Sequence, residues 1–300
     1  MTNSTGRRGG DDRVVVMTGT AASTATSVVA AVSTLSAPLV HGPLRSATVA
    51  ASTRLGCYLL LEGTGEGKGK RDSDTVLPVL TPAALALPTA VRLAYPCAEL
   101  ASLEVGDRVE VGDGRLRASW LTIAVVRAFR PSRVRLRTPA LTAFCAPTDG
   151  SDHGSGAMAR TQPSLGCGRE DETVPRRLLE RIGLGPGLTP EADDELAGHL
   201  LVGAALRRRR PDLEPWLPRT TALSASLLRA AAQGYAVPAV VAYVDAVLDE
   251  DNRFDEDHRS STTRLRAEVA AIGHTSGAAL LRGIDAALDQ LMPSNERTVA

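Results

Sequence analysis

The sequence predicts an α+β chain, with an N-terminal, mostly antiparallel β domain followed by a C-terminal, mostly α-helical domain. Three observations carry this. Before about residue 140 the apolar residues come in short β-branched runs broken by glycine turns, as in "LEVGDRVEVGDGRLRASWLTIAVVRAF". After about residue 172 they recur at three- and four-residue spacing. Between the two lies "APTDGSDHGSGAMARTQPSLGCGREDE", residues 146–172, rich in Gly, Ser, Pro and Asp, which reads as a linker or long loop.

The elements follow in order. Residues 1–39 read as a tail and a helix: residues 1–12 are polar, and 20–37, "TAASTATSVVAAVSTLSA", mix small and apolar residues in a way that suits a helix. The β-rich domain is placed at 40–145. It opens with "ATVAASTRLGCYLLLEG", which breaks at the glycine run "GTGEGKGK". No apolar helix follows that run, so a hairpin tip is expected there rather than a phosphate loop. "TVLPVLTPAALALPTAVRLA" reads as a strand and proline-punctuated turns. Val109 and Val111 alternate with polar neighbours, "GDG" supplies the next turn, and Trp120 to Val126 reads as a buried strand.

The helical domain is placed at 173–292, with a tail at 293–300. "TVPRRLLERIG" is a short helix ended by Gly183. "PEADDELAGHLLVGAALRRRR" is the next, closed by Pro211, with Arg207–Arg210 expected in its last turn, where cations favour the helix dipole. "TALSASLLRAAAQG", "PAVVAYVDAVLDE", "TTRLRAEVAAIG" and "SGAALLRGIDAALDQL" complete the set.

Composition excludes several function classes. The 300 residues carry 34 cationic and 34 acidic side chains, so neither nucleic acid nor an anionic membrane is an expected partner. Aromatics are 3%, too few for a base-stacking platform. Cys57, Cys97, Cys145 and Cys167 form no C-x-x-C pair, which argues against a zinc site and for reduced thiols. No run of about 20 apolar residues is present. Arg7 and Arg8 precede a mild Val/Ala region, but Gly9, Gly10, Asp11 and Asp12 argue against an export signal. A cytoplasmic protein is expected. His153 stands alone in the linker and reads as solvated.

Two stretches could carry chemistry. The first is "GLGPGLTPEADDELAG", Gly183 to Gly198. Thr189 reads as an N-cap, Pro190 as the first helical residue, and Glu191 falls in the first turn. Gly185 and Gly187 allow positive φ and close approach of a ligand, so the loop with Leu188 and Thr189 reads as an anion site at a helix N-terminus. No lysine makes it a Walker loop, and a preceding helix rules out a dinucleotide fingerprint. Asp193 and Asp194 lie about 100° apart on a helix, so they face different neighbours. Asp194 shares a face with Gly198, where another element could pack closely. Either carboxylate could act as a base, bind loop N–H groups or hold a metal. No cofactor motif is present; a divalent metal at the aspartate pair is the one cofactor these residues allow.

The second stretch is "AIGHTSGAALLRG". Gly273 ends one helix, Thr275 or Ser276 can cap the next, and His274 and Gly277 lie in the same turn. Both turns could converge on one pocket. Ser224 and Ser226 read as small packing residues, since no G-x-S-x-G is present.

These residues resemble the AllH-like family. "GLGPGLTPEADDELAG" is similar to its signature G-x-G-x-G-L-T-P-x-x-D-D-x-L-x-G, and "TALSASLLRAAAQG" and "IGHTSGAALLRG" resemble its second and third blocks. The β region resembles its N-terminal half more weakly. Glu191 and Ala192 stand where members commonly read Ser-Gly, and Ala278 and Ala279 follow Gly277 where an acidic residue is common. The resemblance implies a component of oxamate carbamoyltransferase, which interconverts oxalurate plus phosphate with oxamate plus carbamoyl phosphate. The implied partners are a small anionic substrate (a carboxylate or phosphate) and other subunits of that system. On that reading Asp193, Asp194 and His274 are catalytic candidates. Gly185, Gly187, Leu188, Thr189, Thr275, Ser276 and Gly277 are binding candidates. Two other readings stay open: a non-catalytic subunit whose partner carries the chemistry, and a metal-dependent hydrolase using the aspartates and His274.

Overall fold

The structure is a computed structural model that describes residues 26–61, 75–136, 174–249 and 255–291. The expected tail over 1–12, the glycine run 63–69, the linker 146–172, His153 and the C-terminal tail lie outside the described residues.

Eight strands form a closed barrel: β1 (Thr26–Ser33), β2 (Arg45–Thr53), β3 (Gly56–Leu61), β4 (Thr75–Leu80), β5 (Val91–Leu93), β6 (Arg108–Gly112), β7 (Arg115–Arg117) and β8 (Leu121–Phe129). Their order around it is β1-β5-β4-β3-β2-β6-β7-β8. All pairings are antiparallel except β1 with β8 and β4 with β5. The expected antiparallel domain is therefore corrected to a closed barrel. The reason lies in the first element. Thr26–Ser33, within the stretch 20–37 expected as a helix, instead form β1, which pairs with β5 on one side and β8 on the other and so removes both sheet edges. Val28, Ala30 and Val32 point inward at a period of two, a rhythm that the surrounding Ala and Ser obscure. Irregular register at Ala30/Ala31 and Val49/Ala51 bends the strands toward closure.

Side chains fill the barrel: Leu59, Leu77, Val79, Val111, Leu116 and Ile123 are among its buried core. β4 is buried on both faces, which is why "TVLPVL" reads as a continuous apolar run. Leu77 and Val79 face inward, while Val76 and Leu80 join the core of the helical region. The barrel and the helices are thus stitched together along one strand.

A short helix, α1 (Ala37–His41), plugs the turn after β1. The helical region comprises α2 (Arg176–Glu180), α3 (Glu191–Ala205), α4 (Ala222–Ala232), α5 (Pro238–Val247), α6 (Glu256–Ala270) and α7 (Ser276–Leu291). Thr221 caps α4 by accepting from the Ser224 N–H at 3.0 Å. Asp255 caps α6, which begins ahead of the expected Thr262. α3 ends at Ala205, and Arg207 adopts a left-handed φ of 55°. Arg207–Arg210 therefore lie beyond the helix, not in its last turn.

α3 is the central helix, with Leu196, Leu200, Leu201 and Val202 all buried. It packs on α7 through backbone. A methyl group on Gly198 would lie 2.2 Å from the Leu280 carbonyl oxygen, and one on Gly283 would lie 1.8 Å from that of Glu195. Gly277 does the same for α6 against α7, with the Val269 carbonyl oxygen 2.1 Å from such a methyl. Arg266 of α6 then clasps Asp285 of α7 in two hydrogen bonds, at 3.0 and 2.7 Å, beside Tyr243 of α5. No described helix is long and apolar enough to cross a membrane.

Candidate functional site

The glycine loop is held by its own backbone geometry. Gly183, Gly185 and Gly187 all have positive φ, at 85°, 128° and 92°. Gly183 and Gly185 also have no room for a side chain. A methyl on the first would meet the Arg219 carbonyl oxygen at 2.0 Å, and on the second the Glu191 nitrogen at 2.7 Å. Gly187 faces open space, so only its φ requires glycine.

Three N–H groups at the N-terminus of α3 are bonded within the chain. The Ala192 N–H donates to the Leu184 carbonyl at 3.2 Å, and the Asp193 and Asp194 N–H groups donate to Pro190. Pro190, not Thr189, occupies the N-cap position. Three carboxylates, Glu191, Asp193 and Asp194, stand in that first turn. They favour the helix dipole and disfavour a bound anion. Glu191, at one departure from the family signature, forms an ion pair with Arg282 of α7.

The two aspartates part, as their 100° separation requires. Asp193 is 1% exposed and turns toward α4. Its Oδ1 accepts from the Gly183 N–H at 2.7 Å, and its Oδ2 accepts from the hydroxyls of Ser224 (2.6 Å) and Thr220. It is a clamp that ties the loop to the start of α4. Sequence reasoning gave Ser224 only a packing role and missed Thr220.

Asp194 is 8% exposed and faces a cleft of about 240 Å³ between barrel and helices. Its Oδ2 is buried and has no hydrogen-bond partner. Burial pushes its carboxyl up to about 6, with the nearby charges of Asp193 and Glu191 adding to the rise. Hydrogen bonds from Ser276 and Thr189 work against that rise. Those two hydroxyls lie 3.3 Å apart, so the glycine loop and the start of α7 do converge, at Asp194.

The rest of the wall is apolar. Ala197 and Leu201 of α3, Leu223 and Leu227 of α4, Val240 of α5 and Leu280 of α7 line it, and Leu188 stands at 44% exposure on its rim. The barrel contributes Tyr58 of β3 and Leu85, Leu87 and Pro88 of the β4–β5 connection. Among the described lining residues there is no lysine, arginine or histidine. Nothing in the sequence marks Tyr58, because its approach to the cleft depends on how the barrel docks.

His274 and Thr275 are exposed and do not line the cleft, although Gly273 and Ser276 beside them do. Gly277 is buried against α6. Ala279, at the other departure from the signature, is fully buried. Among the described residues no group of three His, Cys, Asp or Glu side chains could hold a metal ion. With the aspartates diverging and His274 outside, the ligand set for a metal-dependent hydrolase is not assembled.

No solved structure matches the chain. Residues 181–288 match the family model described as "Oxamate carbamoyltransferase subunit AllH". The match covers the glycine loop, both aspartates, α4 and the Ser276 turn, and leaves the barrel outside. The likeness to the AllH-like family therefore rests on this stretch of the helical region.

Proposed function

We propose that the chain is a subunit of an oxamate-carbamoyltransferase-type system, and that its cleft holds the carboxamide-bearing reactant against Asp194. The observation that carries this is the buried, partnerless Asp194 Oδ2 beside two hydroxyls. A carboxamide presents an N–H₂ donor next to a carbonyl acceptor. The carboxylate accepts from the first, and Thr189 or Ser276 turns its one O–H from Asp194 to the second. In the direction of oxalurate formation, the amide nitrogen attacks the carbamoyl carbon, phosphate leaves, and the nitrogen must lose a proton. Asp194 is placed to accept it, and a carboxyl pushed up to about 6 is better suited to that than an ordinary one.

The small-anion site expected at the helix N-terminus is not part of this reading, because three carboxylates, Glu191, Asp193 and Asp194, stand in that first turn and the N–H groups of Ala192, Asp193 and Asp194 are bonded within the chain. Among the described residues that line it, the cleft also offers no cation to carbamoyl phosphate. A partner subunit supplies the phosphate-binding half, which favours a shared site over a chain that acts alone.

The test is a thermal-shift and calorimetric comparison of oxamate, oxalurate, carbamoyl phosphate and phosphate on wild type and Asp194→Asn. The expected result is binding of oxamate or oxalurate to the wild type, weakened tenfold to about a hundredfold in the variant. Equal binding by both proteins, or binding of phosphate alone, overturns the reading.

A further inference from the structure

The cleft has more apolar wall than a two-carbon acid can use. Oxamate is polar at both ends, whereas the cleft gathers Asp194, Thr189 and Ser276 together and is otherwise lined by apolar side chains and the rings of Tyr58 and Tyr235. Its apolar lining includes Leu201, Leu223, Leu227 and Val240 of the helices and Leu85 and Leu87 of the barrel side. A carboxylate pushed into that wall would lose its hydration, with no cation among the described lining residues to replace it. The 240 Å³ volume falls just below the range of small-molecule pockets, roughly 300–1,000 Å³, which are mostly apolar with a few placed polar groups.

Resting on the reading of Asp194 as the amide acceptor, we propose that the cleft takes a primary carboxamide or ureide carried on a hydrocarbon body. The amide or ureide end meets Asp194, Thr189 and Ser276. The hydrocarbon body lies along α4 and α5 and reaches the β4–β5 connection. Specificity is then set by the barrel as well as by the helices. Because the ligand's far end is apolar, longer amides bind better until the cleft is full.

A homologous series of straight-chain primary amides, acetamide to octanamide, tests this by calorimetry on the full chain, with the matching carboxylic acids and oxamate alongside. Each added methylene is expected to tighten binding about fourfold until the series levels off. The amides are expected to bind more tightly than the acids of equal length. Ala236→Leu narrows the cleft at a half-buried position, and is expected to make the series level off earlier while acetamide is unaffected. Asp194→Asn is expected to erase the preference for amide over acid while keeping the methylene increment. Affinity that is flat along the series, with oxamate tightest and dependent on Asp194, overturns this proposal and leaves the carboxamide reading of the site standing. A methylene increment with no amide preference in the wild type overturns the reading of Asp194 itself.

Discussion

Two adjacent aspartates do opposite work because each meets different partners. Asp193 is satisfied by three donors, so its removal leaves a half-buried N–H and two hydroxyls without that acceptor. Asp193→Ala is expected to cost about 3 kcal/mol, read as a fall in melting temperature. Asp194→Asn goes the other way. The unfolded carboxyl ionises near its ordinary 3.8, while the folded one holds its proton up to about 6. Between those values the unfolded chain sheds its proton first, so wild-type stability falls as pH rises through the window and is flat above it. The variant removes that loss and is expected to be more stable than wild type at pH 7, by up to about 3 kcal/mol. Denaturant titrations across this pH range check it; a variant less stable than wild type at every pH would contradict it. At this scale the sequence was informative about divergence but silent about partners. A 3.6-residue period separates the two side chains, and nothing local says that Thr220 and Ser224 wait for one of them.

At the scale of elements, the α3–α7 pairing depends on two glycines whose absent side chains let the backbones touch. Gly198→Ala places a methyl against the Leu280 carbonyl, and is expected to destabilise by about 3 kcal/mol. Gly203 lies in the same helix with nothing within 4 Å of such a methyl. Gly203→Ala is therefore expected to stabilise by about 0.5–1 kcal/mol through helix propensity alone. Melting the two variants side by side separates close packing from propensity, and a Gly198→Ala protein as stable as wild type would refute the backbone contact. The helices of this region were legible because their apolar spacing and their Pro and Gly punctuation agree. The exceptions have local causes. Arg207–Arg210 fall outside α3 because Arg207 takes a left-handed turn, and Thr189 gives up the cap position to meet Ser276. β1 was misread because Ala and Ser fit a helix as well as they fit the crowded wall of a barrel.

For the whole molecule, the consequence is that barrel and helices share one core. Val76, Leu80, Leu87 and Ala90 from the barrel side are buried in the same cluster as Leu196, Leu201 and Val240. They are expected to unfold in a single calorimetric transition; two separated transitions would mean that the shared cluster contributes little. Barrel closure could not be read from the sequence, since it depends on pairing between β1 and β8, nearly a hundred residues apart in the chain. The cleft was legible on its helical side, where the family signature falls, and invisible on its barrel side. It exists only because the two regions dock, and its polar end rests on one carboxylate. The most direct test of that claim is the pH dependence of oxamate binding, measured by titration calorimetry from about pH 5 to about pH 8. If ionised Asp194 accepts the amide N–H, affinity rises as pH increases through about 6, weakens about tenfold for each unit below it, and loses that dependence in Asp194→Asn. Binding that strengthens as the pH falls through 6, or the same profile in the variant, would contradict the account.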